Sequence, residues 1–257
     1  MTTFGSIENI ASTKYELIES LPADGIAFFS SDGSYVDRLY AKCAIEKHRV
    51  GFNPDRQPYM LAKDIEVGPQ GSRFTLQCED GTAMRCRTKL LGKHNIQNIA
   101  LCAAVAKKLG LMMEEIARGV RILEPVEHRL QLIPGVMTVI DDAFNSNPAG
   151  AQEALNVLSG FSGRRLIVTP GMIEQGEKED ELNYAFGTQM VSAVDVAILV
   201  GPNHTKPIFQ GLVDSGFSRE EIHVVADLDE ASALLRAIGR PGDTVLFEND
   251  LPDNYNE

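Results

Sequence analysis

Apolar residues recur along this chain in two rhythms, and the change between them falls near residue 131. Before it, Ile7, Ile10, Tyr15, Leu17 and Ile18 make a rough helical stripe, with Ser6 placed to cap the helix and Glu8 in its first turn. The strand "GIAFFSSDGS", the helix-like "YVDRLYAKCA" and the strand "HRVGFN" follow. Next come three β-type runs, "YMLAKDIEV", "SRFTLQCED" and "TAMRCRTKL". The separators "GPQGS" and "EDGT" carry turn chemistry, so the three runs predict an antiparallel meander. "HNIQNIALCAAVAKKLG" reads as a strong helix ending at Gly110, and "MMEEIARGVRIL" as a second helix. "EPVEHRLQLIPG" reads as a connection.

After residue 131 the pattern becomes regular. The strands "GVMTVIDDA", "RRLIVTPG", "DVAILVG", "EIHVVA" and "DTVLFEND" alternate with four amphipathic helices, from "PAGAQEALNVLSGF" to "LDEASALLRAIG". That alternation predicts a parallel sheet wrapped by helices, a doubly wound α/β domain that presents ligands at the carboxyl ends of its strands. The boundary is expected between Glu124 and Arg129, giving one domain over residues 1–125 and another over 126–257.

Composition narrows the function classes. A hydrophobic content of 44% and a charged content of 23% are those of a globular chain. The net charge of −12 argues against a nucleic-acid partner, because phosphate neutralisation needs clustered Lys and Arg. It leaves nucleotides open, since local backbone amides and a few cations can bind them. Residues 1–20 lack the features of a signal peptide, and no apolar run reaches the ~20 residues of a membrane span. Cys43, Cys78, Cys86 and Cys102 lack metal-binding spacing and read as reduced thiols, which points to the cytoplasm. Only Cys78 and Cys86, across a predicted hairpin, are candidates to pair.

Four polar stretches gather where strands end or helices begin. "GKHNIQN" puts His94, Asn95 and Asn98 at a helix N-terminus, where amides either read a base edge or cap the helix. "EHRLQ" offers His128 and Arg129 between the two halves, the Arg suited to a phosphate, a carboxylate or a surface ion pair. "VIDDAFNSNP" ends a strand on Asp141 and Asp142 and enters a helix through Asn145, Asn147 and Pro148. Capping accounts for Asn147 and Pro148 but not for two adjacent aspartates, which favours a ligand site. "VTPGMIEQGEKEDELN" sets Gly171, Glu174 and Gly176 after the next strand, an acidic loop that meets an amine or is solvated. "ENDLPDNYNE" reads either as a solvated tail or as a charged lip on the cleft. No zinc or serine-hydrolase motif is present.

Together "FGSIENIASTKYELIE", "GKHNIQNIALCAA", "EHRLQ", "VIDDAFNSNPAGAQEAL" and "TPGMIEQG" resemble the Mur ligase superfamily, the ATP-dependent amide ligases of cell-wall precursor synthesis. The motifs occur in the family's order over nearly the whole chain. "DDAFNSNP" and "TPGMIEQG" are most similar to the member that joins D-Ala-D-Ala to a UDP-muramoyl peptide. The resemblance implies a Rossmann-like C-terminal domain preceded by a central ATPase domain. In the family, the stretch matching residues 4–20 lies inside that central domain, after a GxxGKT/S phosphate loop. This chain contains no such loop: its only Gly-Lys pair, Gly92-Lys93, is followed by His94. The central domain is therefore expected to be incomplete and the isolated chain inactive, with its first ~125 residues less stable than its last ~130.

The resemblance also assigns roles. Lys14 matches the family lysine whose carbamate helps hold Mg2+. Asn95 and Asn98 match positions against adenine, Arg129 and Asp142 positions near the ATP phosphates and ribose. Asn145, Asn147 and, more distantly, Glu174 match the loops near the incoming amino component. The implied ligands are ATP, Mg2+, a UDP-muramoyl peptide and D-Ala-D-Ala. The ending "VLFENDLPDNYNE" departs from the family's basic, Ser/Arg-containing tail, and Phe144 stands where Tyr is expected. Two other readings follow from the missing loop. One is a non-catalytic binding module; the other is one subunit of a split ligase whose missing half acts in trans, with a different acceptor.

Overall fold

The computed structural model of the chain describes residues 6–30, 33–144, 146–173 and 175–249. It divides into two compact units. The first comprises residues up to Glu66, Ser72–Thr88 and Lys93–Leu123; the second comprises Val67–Gly71, Lys89–Gly92 and the chain from Glu124 onward.

The first unit opens with α1 (Ile7–Glu19), capped as its sequence predicts: Ser6 Oγ accepts the Asn9 backbone N–H at 3.1 Å. Its apolar stripe is only partly used. Tyr15 is buried and Ile18 packs beside it, whereas Leu17 is 74% exposed. Two residues along a helix turn the side chain by roughly 200°, so Leu17 cannot share the inward face of Tyr15. Strand β1 (Ile26–Ser30), α2 (Ser34–Lys42) and β2 (Glu46–Gly51) follow. Tyr15, Ala27, Phe29 and Cys43 form the small core that α1 and α2 make on one face of the sheet.

The three β-type runs are β3 (Met60–Gly68), β4 (Gly71–Cys78) and β5 (Ala83–Thr88), in a sheet of order β1-β2-β3-β4-β5. The antiparallel pairing of β4 with β5 is as expected. The meander is not separate, however: β3 pairs parallel to β2 through Val50 and Met60, so the sheet is mixed. Phe74, not Cys78, lies opposite Cys86, and all four cysteines are free. Helices α3 (Lys93–Lys108) and α4 (Met113–Arg121) complete the unit, with Gly110 just beyond α3 at φ 98°. Because α1 contributes a single fully buried side chain, its amides should exchange with solvent faster than those of the central strands described next. Hydrogen-exchange mass spectrometry checks this ordering, and equal protection would contradict it.

The second unit holds the regular alternation. Strands β7 (Thr138–Asp142), β8 (Arg165–Thr169), β9 (Val196–Val200), β10 (Ile222–Val225) and β11 (Thr244–Glu248) are separated by α5 (Pro148–Ser159), α6 (Glu179–Met190), α7 (Lys206–Asp214) and α8 (Leu228–Ile238). The connecting segment contains one further strand, β6 (Gln131–Ile133), antiparallel to β7. Three residues are too few for alternation to register in a sequence. The sheet order is β10-β9-β8-β11-β7-β6, so the last strand inserts between β7 and β8. Ile140, Ile167, Leu199 and Leu246 face the core shared with α5, α6 and α7; Leu166, Val168, Ile198 and Val245 face α8. Burial on both faces explains why these strands read as unbroken apolar runs. Among the described residues, no helix is long and apolar enough to cross a membrane.

Candidate functional site

The insertion of β11 between β7 and β8 sets three strand ends side by side. In register, Glu248 lies opposite Asp142 and Phe247 opposite Asp141, while Phe247 faces Val168 on the other side. Side chains alternate across a sheet, so Asp142 and Glu248 lie on the α5–α7 side and Asp141 on the α8 side.

Asp142 accepts the Leu130 backbone N–H on Oδ1 at 3.0 Å. Burial pushes its carboxyl up to about 6, with the Leu130 N–H and the Arg129 charge working against that rise. Asp141, on the opposite face, accepts the Ala143 N–H at 3.2 Å and meets His128 Nδ1 at 2.9 Å. His128 and Leu130 both hold left-handed backbone, φ 60° and 46°, in the turn that brings the Leu130 N–H to Asp142 and the His128 ring to Asp141. Arg129, exposed, stacks its guanidinium 4.1 Å from the centre of the Phe144 ring, which is itself 60% exposed. That stacking leaves the edges of the guanidinium fork open to an oxyanion. On the α8 side a cleft of about 360 Å³ is bordered by His128, Asp141, Leu228, Phe247 and Asn249.

Asn147 caps α5, accepting the Gly150 N–H at 3.0 Å, and Pro148 occupies the first helical turn. With the side-chain oxygen occupied, the exposed Asn147 offers a ligand its amide N–H groups. Asn145 and Glu174 lie outside the described residues.

Three residues that sequence reasoning did not single out close the site. Glu248 is 1% exposed and accepts hydrogen bonds from the Ser146 hydroxyl on Oε1 and from the Thr169 hydroxyl on Oε2, the latter at 2.9 Å. Burial pushes its carboxyl up to about 7, against the pull of those two bonds. The solvated reading of "ENDLPDNYNE" therefore does not hold for Glu248, nor for Asn249, which is 8% exposed; the rest of that segment lies outside the described residues. The only available signal was an acidic residue ending the final apolar strand.

The remaining candidates belong to the first unit. Asn95 and Asn98 sit three residues apart near the start of α3, so they share a face; Asn95 is half-buried and Asn98 exposed. Between them Gln97 docks the helix by donating to the Val50 carbonyl at 3.2 Å. Lys14 is on the exposed side of α1, next to the buried Tyr15. The structure thus gathers Arg129, Asp142 and Asn147 in the second unit, and carries Lys14, Asn95 and Asn98 in the first.

Comparison with known proteins gives two family matches: the Mur ligase middle domain over residues 1–106, and the Mur ligase glutamate ligase domain over residues 128–248. The UDP-N-acetylmuramoyl-tripeptide–D-alanyl-D-alanine ligase of Mycobacterium tuberculosis is 32% identical over 276 residues, covering 95% of this chain and 52% of that protein. The enzyme of the same name from Bacillus subtilis is 25% identical over 262 residues, covering 96% and 53%. The chain therefore spans about half the length of these relatives. In fold it is similar to the MurF ligase from Thermotoga maritima solved in complex with ADP, with a TM-score of 0.81 at 20% identity over 96% of this chain and 55% of that one. MurF from Acinetobacter baumannii gives 0.79 at 22% identity, over 96% and 53%. With its two matches falling one after the other in the order of the two halves read from the sequence, the chain belongs to the Mur ligase family and carries that family's middle and C-terminal domains.

Proposed function

We propose that the chain is the C-terminal part of a MurF-type, ATP-dependent amide ligase that joins D-Ala-D-Ala to a UDP-muramoyl peptide in the cytoplasm. The observation that carries this reading is the convergence of Arg129, Asp142 and the Asn147-capped helix at the carboxyl ends of β7 and β11. In the reaction, the peptide carboxylate attacks the γ-phosphate of ATP, the bond to the β-phosphate oxygen breaks, and ADP leaves. The amine of the dipeptide then displaces phosphate from the acyl phosphate. Catalysis of this type rests on positioning and charge stabilisation more than on covalent chemistry by the protein.

Arg129, Asp142 and Asn147 have surroundings that suit the roles proposed for them. Arg129, stacked on Phe144, presents its fork to a phosphate. Asp142 keeps Oδ2 to accept a ribose hydroxyl, Oδ1 being held by Leu130. Asn147 donates to the carboxylate end of the dipeptide, and the family resemblance gives Asn145 and Glu174 the same substrate. Asn95 and Asn98 read the adenine edge.

Magnesium is a different matter. Among the described residues no three His, Cys, Asp or Glu side chains come together in a way that could hold a metal ion. Lys14 as a carbamate would supply hard oxygens from one side chain, fewer than Mg2+ requires. These residues do not make a magnesium site by themselves.

The chain also lacks the backbone cradle and lysine that hold the β- and γ-phosphates. The purified 257-residue polypeptide should therefore release no phosphate from ATP, with or without magnesium. Supplying in trans a polypeptide that carries a GxxGKT/S loop should restore hydrolysis. Magnesium-dependent release by the chain alone would overturn this part of the reading.

A further inference from the structure

Three segments leave the carboxyl end of the six-stranded sheet beside α5, and one buried side chain ties them together. Glu248 Oε1 receives the hydroxyl of Ser146, which lies between Asn145 and Asn147 in the loop after β7. Its Oε2 receives the hydroxyl of Thr169, the last residue of β8, at 2.9 Å. The Thr169 oxygen in turn accepts the Gly171 N–H at 2.9 Å, which anchors the start of the loop after β8. Asn249, next to Glu248 in the chain, donates from Nδ2 to the Gly171 carbonyl at 2.6 Å. Gly171 and Asn249 are both left-handed, φ 84° and 61°, so this crossing has one specific backbone path.

We propose that Glu248 is a positioning residue of the ligase site, its carboxylate clamping the loop of Ser146 and Asn147 to the loop that begins at Gly171. The proposal rests on the reading of these two loops as the side that receives the amino component. An apolar residue would hold three packed strands at lower desolvation cost, so holding the sheet together does not account for a buried carboxylate here. What the carboxylate adds is direction: two hydroxyls on two different loops must aim at one point. Among the described residues, the charged group that bears on Glu248 is Asp142 across the ladder; Arg129 and Asp141 bear in turn on Asp142. Ionised, Glu248 accepts from both hydroxyls. Protonated, it must donate to one of them, which reverses one tie. Both loops should therefore follow a single titration.

The test is NMR on the full 257-residue chain, tracking the Glu248 side-chain carboxyl carbon and the backbone amides of Ser146, Asn147, Gly171 and Asn249 against pH. The expected result is one midpoint shared by the carboxyl and all four amides, abolished in Glu248→Gln. Ser146→Ala should detach the Ser146 and Asn147 positions from that titration and leave Gly171 and Asn249 following it. A role confined to fold stability would not separate the loops in this way. Amides that do not share the carboxyl midpoint, or that titrate unchanged in Glu248→Gln, overturn the proposal.

Free D-alanyl-D-alanine is then the probe. It should shift both loops in the wild type, and Glu248→Gln should weaken its binding by about tenfold or more, the loss expected for charge-assisted hydrogen bonds. Equal binding by wild type and Glu248→Gln overturns the positioning role. A dipeptide that shifts neither wild-type loop overturns the reading of the loops as the amino site, while a shared titration still shows them coupled through Glu248.

Discussion

Thermal and urea unfolding should show the second unit losing stability as pH rises from about 5 to about 8, with Glu248→Gln removing most of that loss. The sign follows from where the proton is held. Burial raises the Glu248 carboxyl from 4.5 in the unfolded chain to about 7 in the fold. Between those values the native state binds more protons than the unfolded state, so raising the pH favours unfolding. The stability given by the neutral carboxyl is complete below 4.5 and is lost as pH rises through about 7. A change of that size is worth on the order of 3 kcal/mol. Asp142 acts with the same sign at lower pH, between 3.8 and about 6. Asp195 and Asp243 are held below their ordinary value of 3.8, so their contribution is lost only under more acid conditions and does not confuse this window. Glutamine keeps the shape, accepts through its oxygen and donates through its nitrogen, without a charge to desolvate. The variant should thus match the wild type near pH 5 and exceed it near pH 8 by about 2 kcal/mol or more. Parallel pH profiles for the two proteins would show that the buried carboxylate is not the source of the slope.

The same strand end shows where sequence reasoning stops. The runs "RLIVT" and "VAILV" are legible as β8 and β9 because a parallel strand covered on both faces must be apolar throughout. The places of Asp142 and Asn147, at a strand end and a helix cap, are legible because an apolar run stops at the one and Asn-Pro opens a helix at the other. Glu248 is not legible, because its partners come from residues 79 and 102 positions away in the chain. They meet only because β11 inserts between β7 and β8, and strand order is decided by packing rather than by any local pattern. The stripe of α1 misleads for the opposite reason. Its apolar residues are close in sequence but point in different directions, and only Tyr15 reaches full burial.

The largest loss from a single methyl group is expected where α6 crosses α7. Gly187 and Gly211 lie inside those helices, where alanine would ordinarily be favoured by about 1 kcal/mol. Here the sign should reverse. A Cβ on Gly187 would overlap the Ile208 carbonyl oxygen and stand 3.0 Å from the Ile208 Cα; a Cβ on Gly211 would overlap the Tyr184 carbonyl oxygen, with the Thr188 nitrogen at 3.1 Å. The obstacles are backbone atoms of the facing helix, which no rotamer change can move aside. Relief requires the two helices to separate, and that loosens Phe186, Met190, Ile208 and Leu212, all almost fully buried in the main core. Gly187→Ala or Gly211→Ala should therefore cost about 3 kcal/mol, at the upper end of overpacking penalties, and lower the melting temperature of this unit by roughly 10 °C. Gly119→Ala supplies the contrast: it too is helical, in α4, but its added methyl would meet nothing within 4 Å. That variant should be neutral or stabilise the first unit by up to about 1 kcal/mol. If all three substitutions raised the urea midpoint, helix propensity would be governing the outcome, and the close approach of α6 to α7 would have to be wider than its backbone contacts imply.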